Sequence, residues 1–409
     1  MKYKSLLVFS VLLAVIAAGC SKENASGNQP TGNEEVGDND GKEGNGEGDG
    51  EGNGGEEGNG EGENNNPSSP QFTGTEVEVG ENEGVNRLLI LNEGPYLGQS
   101  YLDLLDFKTK TYSADVFGQA NPDIVQGIGS TGNDIAMVGD RVWALMNASN
   151  QVVVMDKNDL KVVKTLDVES PRFITTDGTY AYITSYGAAV YGSPVSQDGW
   201  LYRVKLDSYD VSRVAVGPQP EGVAVHGDKV YVANSGGYND IKDNRIMIVD
   251  RAGFNVEATF SLPASNLKML FAAEDGLWVT TYDTYGPAPD YAFISAAGLY
   301  RVDYDGHNPA AVDGISPVYA MMVDDTVYSF GYGTLNKVQA TDEVQTLSFT
   351  DPSLQSIYVA GACVNTANGD IIISSSSYTG NSSIVCVDKD LNYRWQTEAG
   401  IGAGHFLLY

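Results

Sequence analysis

The stretch Asn133–Val168, NDIAMVGDRVWALMNASNQVVVMDKNDLKVVKTLDV, decides the fold. It contains four short runs rich in Val, Ile, Met, Trp and Leu, and these runs are separated by Gly-Asp, Asn-Ala-Ser-Asn and Lys-Asn-Asp clusters. Short apolar runs between turn-forming residues predict four antiparallel strands joined by tight turns. Weaker copies recur from Leu88 to the C terminus, so each copy predicts one blade of a β-propeller.

Seven copies align on their second and third strands. The first copy, from Arg87 to Phe117, lacks an innermost strand, and the C-terminal run GHFLLY, Gly404–Tyr409, is typical of an innermost strand without a blade. We therefore expect His405–Tyr409 to complete the first blade and close the ring, which removes exposed sheet edges. The predicted fold class is all-β: a seven-bladed β-propeller closed by its C-terminal strand and preceded by a disordered acidic tether.

Two sets of residues are predicted to belong to the core. Large aromatic side chains recur at one position of the second strand, where they would pack between neighbouring sheets: Trp143, Tyr182, Tyr231, Trp278 and Tyr328. Cys363 and Cys386 fall in the first and third strands of one blade, roughly 10 Å apart. Since a disulfide needs α-carbons within about 7 Å, we expect two small buried residues and no bond between them.

The N-terminal segment predicts export and membrane anchoring. Residues 1–19 combine basic Lys2 and Lys4 with a short apolar run, which is typical of a signal peptide. The ending Ala-Ala-Gly-Cys resembles a bacterial lipobox, in which Cys20 is lipidated. Residues 20–84 are predicted to be a disordered Gly/Asn/Glu-rich tether, and residues 85–409 the propeller. The predicted localisation is the outer membrane, lipid-anchored and exposed at the cell surface.

The charge of the chain argues against nucleic-acid binding. The full sequence has 54 acidic and 24 basic residues, and 17 of the acids lie in residues 21–84. The part from residue 85 onward holds 37 acids and 20 bases, a formal charge of −17. Phosphate binding depends on clustered Lys and Arg, so a field of this sign repels nucleic acid.

Long loops predict that one face of the propeller carries the function. Loops from the second to the third strand are long in the third, fourth, fifth and seventh copies, whereas turns on the opposite face are short. These loops are rich in tyrosine, which offers rigid contact area and a hydroxyl. The candidates for ligand contact here are Tyr96, Tyr186, Tyr238, Tyr282 and Tyr332. The alternative is that each tyrosine only caps its own blade.

A second candidate ring lies at the top of the innermost strands. Asn133, Arg172, Glu221 and Lys268 share one position there, with His405 and Tyr319 at or next to the equivalent place. Because innermost strands line the central channel, these side chains are expected to converge at its mouth. They either contact a ligand or neutralise one another around a water-filled channel.

Enzyme signatures are mostly absent from the sequence, and two short acidic fragments that resemble calcium loops are explained more simply as turns at strand ends. There is no Gly-x-Ser-x-Gly, His-Glu-x-x-His or paired-cysteine motif. His226 and His307 map to turns on the opposite face of the propeller from His405. They are therefore too far from His405 to share a metal ion with it. We therefore expect no catalytic residue, no cofactor and no metal. A polysaccharide lyase or hydrolase would need Glu221 with His405 or Arg172 as its acid–base pair.

The recurring GDRVWALMNASNQVVVMD and GDKVYVANS, together with the lipobox and LLILNEGPYLG, resemble YncE-like seven-bladed propeller lipoproteins of Bacteroidota. That broad group includes surface lipoproteins that capture vitamin B12 and pass it to a TonB-dependent transporter. The resemblance implies a non-enzymatic protein that captures a large polar nutrient, most specifically a corrinoid such as cobalamin. A protein-interaction scaffold in an envelope complex is the alternative.

Overall fold

The computed structural model describes residues 72–80, 82, 84–95, 98–188, 198–237, 239–287, 289–341, 343–376 and 379–409. Seven antiparallel sheets radiate from a central channel, and we number them as blades 1 to 7 along the chain. The innermost strands of blades 1 to 7 are Ala403–Leu408, Gly132–Val138, Pro171–Thr176, Pro220–His226, Leu267–Ala272, Tyr319–Val323 and Gly361–Val364.

Each innermost strand pairs with a second strand, then a third and an outer one. The second strands are Arg87–Asn92, Arg141–Met146, Tyr180–Ser185, Lys229–Asn234, Leu277–Thr281, Thr326–Phe330 and Ile371–Ser375. The third strands are Tyr101–Asp106, Gln151–Asp156, Asp198–Lys205, Arg245–Asp250, Leu299–Val302, Thr334–Val338 and Ser382–Val387. The outer strands are Thr111–Ser113, Val162–Asp167, Val211–Pro218, Asn255–Ser261, Ala310–Ala311, Val344–Ser348 and Tyr393–Ala399.

The two ends of the propeller close the ring, as the sequence predicts. Ala403–Leu408 pairs with Arg87–Asn92 in blade 1, with Leu89 opposite Leu407 and Ile90 opposite Phe406. Each innermost strand contacts that of the next blade, and the strand of blade 1 contacts those of blades 7 and 2. The seven-bladed, all-β fold is therefore confirmed.

A few elements lie outside the four-stranded plan. Thr75–Glu76 adds a fifth, outermost strand to blade 1 by pairing with Thr111–Ser113, so this sheet starts before residue 85. A short helix, Val116–Ala120, follows blade 1, and a 3-10 helix, Pro352–Leu354, follows blade 6. In blade 5 the long loop forms a small hairpin of Thr284–Tyr285 with Phe293–Ser295.

The core consists of apolar layers between neighbouring blades. Four of the repeated aromatic side chains are buried and Tyr328 is half-buried, which confirms that this position packs the core. Cys363 and Cys386 lie on the two strands that flank the second strand of blade 7, where both pair with Ile372. They are not bonded to each other. No helix within the described ranges is long and apolar enough to cross a bilayer.

Candidate functional site

A β-bulge recurs at the start of the innermost strand in blades 1 to 5. In blade 3, Arg172 and Phe173 together oppose the single residue Thr184 of the second strand. Equivalent irregularities place four further residues at this position: Asn133, Glu221, Lys268 and Gly404. A bulge bends its strand and redirects the side chain that it carries. The repeated bulge therefore sets the arrangement of polar groups at the channel mouth.

Arg172 links three blades at this mouth. Its guanidinium donates to both carboxylate oxygens of Glu221 in blade 4, with N–O distances of 3.1 and 3.0 Å. It also donates to Oδ1 of Asn133 in blade 2, whose Nδ2 returns a 2.6 Å bond to the Arg172 carbonyl. The Glu221 side chain is only 1% exposed. Arg172 and Glu221 thus neutralise each other in a two-pronged ion pair.

Tyr186 and Thr184 hold this ion pair in place. The Tyr186 hydroxyl donates to Glu221, and the Arg172 guanidinium lies 4.6 Å from the centre of the Tyr186 ring. The Thr184 hydroxyl donates to the Glu221 carbonyl at 2.7 Å and accepts the Phe173 N–H of the bulge at 3.1 Å. Tyr186 is itself buried, so both its ring and its hydroxyl are fixed against the ion pair.

Lys268 is the charged group of blade 5. Its amine donates to the Val318 carbonyl at 3.1 Å and lies 4.8 Å from the centre of the Tyr282 ring. Burial lowers its pKa to about 8, with Arg172 acting in the same direction, while Glu221 and Asp283 oppose the shift. Among the described residues it has no carboxylate in ion-pair contact. The Lys268 amine is therefore charged at neutral pH, but it loses its proton after only a small rise in pH.

A second polar group lies around Asp134, beside Asn133. Its carboxylate accepts the Ile174 and Ile135 N–H groups at 3.1 and 2.9 Å. Burial raises the pKa of Asp134 to about 6, and His405 is the main charge opposing that rise. Burial raises the pKa of the Tyr319 phenol, and the charge of Asp134 adds to that rise. Asp134, His405 and Tyr319 lie on the innermost strands of blades 2, 1 and 6. His405 and Tyr319 are therefore part of the predicted ring.

Next to the mouth lies what we call the aromatic shelf: Tyr285, Tyr332 and Tyr358 with the carboxylates Asp283 and Glu93. Glu93 lies 3.8 Å from Nε2 of the mouth residue His405. The rings of Tyr332 and Tyr358 are 6.0 Å apart, and their side chains are 55% and 50% exposed. Burial, Asp283 and Tyr285 raise the pKa of Tyr332, and burial, Tyr332, Asp283 and Glu93 raise that of Tyr358. Tyr332 therefore interacts with Asp283 and Tyr285, and Tyr358 interacts with Tyr332, Asp283 and Glu93.

The predicted residues thus divide by the exposure of their side chains into a buried or half-buried lower layer and an exposed upper layer. Asn133, Arg172, Glu221, Lys268, Tyr319 and His405 form the lower layer at the mouth, together with Tyr186 and Tyr282. Tyr332 alone of the predicted tyrosines that the structure describes lies exposed in the upper layer. Tyr96, Tyr238 and the predicted lipidation site Cys20 lie outside the described residues.

Asp134, Glu93, Asp283 and Tyr358 are site residues that the sequence does not single out. Asp134 directly follows Asn133 at the start of an innermost strand, and this adjacency is the signal that points to it. The other three lie in loops of unequal length, where no repeat marks their position. In the described part of the chain no three His, Cys, Asp or Glu side chains are grouped to hold a metal ion.

Comparison with known proteins establishes the fold alone. No protein-family model and no curated protein matches the chain. A hypothetical selenium-binding protein from Sulfolobus tokodaii superposes with a TM-score of 0.57 at 9% identity, over 79% of this chain and 93% of that one. Kuenenia stuttgartiensis hydrazine synthase gives 0.50 at 14% identity, over 67% and 88%. Apo AztD from Citrobacter koseri gives 0.49 at 11% identity, over 80% and 98%.

Proposed function

We propose that this protein is a surface lipoprotein that binds a large polar ligand on the face carrying the aromatic shelf, and that it catalyses no reaction. The observation that carries the proposal is the contrast between hydrogen-bonded charges at the mouth and the exposed rings of the shelf. Arg172 and Glu221 are held by hydrogen bonds, whereas Tyr332 and Tyr358 are about half exposed. Exposed aromatic rings beside a cluster of polar groups are typical of ligand sites.

The finer proposal concerns the ligand and its destination. A corrinoid such as cobalamin is the first ligand to test, with transfer to a TonB-dependent transporter in the outer membrane, because the resemblance to YncE-like lipoproteins implies both. The width of the shelf supports this choice, since Tyr358, Tyr332 and Tyr285 come from successive loops around the ring. Several separate rings suit a ligand that is larger than a single sugar or amino acid.

The experiment is equilibrium titration of the full-length protein with cyanocobalamin, followed by absorbance or calorimetry. We expect saturable binding that the double variant Tyr332→Ala/Tyr358→Ala weakens by about tenfold or more, as loss of two aromatic contacts implies. The matched control is Tyr393→Ala, because that tyrosine is 47% exposed on the outer strand of blade 7. Equal affinity of the double variant and the native protein would reject the shelf as the binding surface.

A protein-interaction scaffold is the second candidate, and the hairpin of blade 5 favours it. Tyr291, Phe293 and Ile294 are 44%, 60% and 64% exposed on this hairpin. Clustered apolar side chains on a loop are common in protein contacts. Co-purification of a stoichiometric membrane partner in the absence of corrinoid, lost in Phe293→Ser/Ile294→Ser, would favour the scaffold.

A hydrolase or lyase is the weakest of the candidates. Its general acid or base would be Glu221, but the Glu221 carboxylate is held by the Arg172 guanidinium and the Tyr186 hydroxyl. The side chain is also only 1% exposed, so a substrate could reach this carboxylate only by displacing those donors. Full turnover by Glu221→Gln on any polysaccharide that the native protein cleaves would eliminate Glu221 from this role.

A further inference from the structure

The innermost strands of blades 3 and 5 each place a cation on a tyrosine of the same blade. In blade 3 the Arg172 guanidinium lies over Tyr186, and in blade 5 the Lys268 amine lies over Tyr282. Tyr186, Tyr282 and Tyr332 each stand four residues after the packing aromatic of their second strand. Blade 6, the next blade around the ring after blade 5, therefore has a tyrosine, Tyr332, at the equivalent position.

Blade 6 does not repeat the cation. Tyr319 is the mouth residue of its innermost strand, and among the described residues no Lys or Arg lies over the ring of Tyr332 or of Tyr358. Both rings are about half exposed, whereas Tyr186 is buried beneath its guanidinium. The faces of Tyr332 and Tyr358 are thus accessible to a cation that comes from outside the chain.

The charges of this face suit such a cation. Among the described loops on the shelf side there is one basic residue, Lys242, against ten acidic ones: Glu93, Asp115, Asp123, Glu169, Asp240, Asp243, Asp283, Asp290, Asp313 and Asp351. The Lys242 amine is occupied by the carbonyls of Gly237 and Asn239. Acidic loops around an opening concentrate cations there.

The opposite face differs, because its turns contain both basic and acidic residues. Lys229 contacts the carboxylates of Asp228, Asp250 and Glu257 within 3.2 Å, and Arg251 contacts Asp177 of the neighbouring blade. The asymmetry between the two faces is therefore not a consequence of the acidic composition alone. On the shelf side, acidic residues outnumber basic ones in the loops, although Glu93, Glu169 and Asp243 contact His405, Arg213 and Arg245.

We propose that the aromatic shelf binds a positively charged alkylammonium group of the ligand, with the cation against the Tyr332 and Tyr358 rings and near the Asp283 and Glu93 carboxylates. Aromatic rings attract cations through their negative faces, and nearby carboxylates add a Coulomb contribution. The inference rests on the proposed capture of a large polar ligand and specifies one charged group of that ligand. Cobalamin has no alkylammonium group, so choline binding at the shelf would favour a ligand other than a corrinoid. The inference excludes a ligand that presents only anionic or apolar groups to the shelf.

The test compares choline with dimethylbutanol, its uncharged carbon isostere, and with the dimethylbutyrate anion. Binding to the full-length protein is measured by saturation-transfer NMR on the methyl signals of each probe. We expect saturable choline binding, with the isostere weaker by about fivefold and the anion weaker still, as cation–π energies imply. Choline affinity should also fall as salt rises, because Asp283 is exposed.

Variants locate the site. Tyr332→Ala and Tyr358→Ala should each weaken choline binding about fivefold, whereas Tyr332→Phe should preserve it because the ring remains. Asp283→Asn should reduce both the affinity and its salt dependence. The control is again Tyr393→Ala, and thermal unfolding establishes that each variant is folded.

Choline binding that is no tighter than that of the isostere, or absent from the native protein, would overturn the inference. So would equal choline affinity in the alanine variants of the shelf. If the shelf variants lose cyanocobalamin while choline shows no charge preference, this inference fails and the proposed capture function stands. If choline behaves as expected while cyanocobalamin does not bind, the corrinoid is excluded and the cationic site stands.

Discussion

Glu221 is the residue on which the lower layer of the mouth depends. Its buried carboxylate holds Arg172 through two hydrogen bonds and accepts the Tyr186 hydroxyl. Glu221→Ala leaves the half-buried guanidinium without its carboxylate, so we expect a loss of about 3 to 5 kcal/mol in the free energy of unfolding. Denaturant titration followed by fluorescence measures it.

The control for this variant is a second Arg–Glu pair in blade 3. Arg213 and Glu169 are 3.3 Å apart, and both side chains are nearly half exposed. Glu169→Ala should cost less than about 1 kcal/mol, because water replaces much of the interaction at an exposed pair. Equal losses for Glu221→Ala and Glu169→Ala would contradict the assignment of Glu221 as the key residue.

Lys268 should give the mouth a measurable pH dependence. Burial lowers its pKa from 10.5 to about 8, so between about pH 8 and 10.5 the unfolded chain binds more protons than the folded one. The contribution of Lys268 to stability therefore rises with pH across that range. Lys268→Met removes the cost of the buried charge, and its benefit relative to the native protein should be largest below about pH 8 and decline above it.

The measurement is the difference in the free energy of unfolding between variant and native protein at about pH 7 and pH 9.5. Any fixed loss from the missing bond to Val318 cancels between the two values. Lys389→Met is the control, since Asp390 raises the pKa of that exposed lysine and its charge persists across the range. A pH-independent difference for Lys268→Met would show that the folded amine titrates normally.

At the scale of elements, the bulges at the top of the innermost strands depend on hydroxyls of the second strands. Thr184 accepts the Phe173 N–H and donates to the Glu221 carbonyl, and Thr280 accepts the Met269 N–H at 3.0 Å. Thr184→Val keeps the shape of the side chain but leaves these backbone groups without that partner. We expect a loss of about 1 to 3 kcal/mol by denaturant titration.

A buried serine in blade 6 offers the matched comparison. The hydroxyl of Ser329 is fully buried in the second strand and has no hydrogen-bond partner among the described residues. Ser329→Ala should therefore leave stability unchanged or slightly improve it. A similar loss in Thr184→Val and Ser329→Ala would indicate that the bulge does not need the threonine.

The sequence predicts part of this arrangement. Alternation of apolar and polar residues fixes strand register, so Asn133, Arg172, Glu221 and Lys268 are predicted to lie together at the mouth. The sequence does not predict the bulges, because they arise from backbone geometry and carry no composition of their own. It does not predict Tyr358 either, since the place of Tyr358 beside Tyr332 depends on how two unrelated loops meet in the folded ring.

At the scale of the whole molecule, a closed ring needs its last strand. Without Ala403–Leu408, the second strand Arg87–Asn92 would become an exposed edge, and the buried Leu88, Leu89 and Ile90 would lose the partner strand that now covers them. Unpaired edges with apolar side chains associate with other chains.

Deletion of residues 403–409 should therefore abolish the monomer and yield oligomers or aggregates. Size-exclusion chromatography with light scattering measures this outcome.

A synthetic peptide of residues 400–409 should restore a monomer when it is added during refolding, because it supplies the strand that pairs with Arg87–Asn92. The same peptide with Phe406 and Leu408 changed to Asp should fail, since both side chains pack in the core layer between blades 7 and 1. A stable monomer formed by the truncated chain alone would mean that the other six blades and the open sheet of blade 1 suffice to hold the ring together.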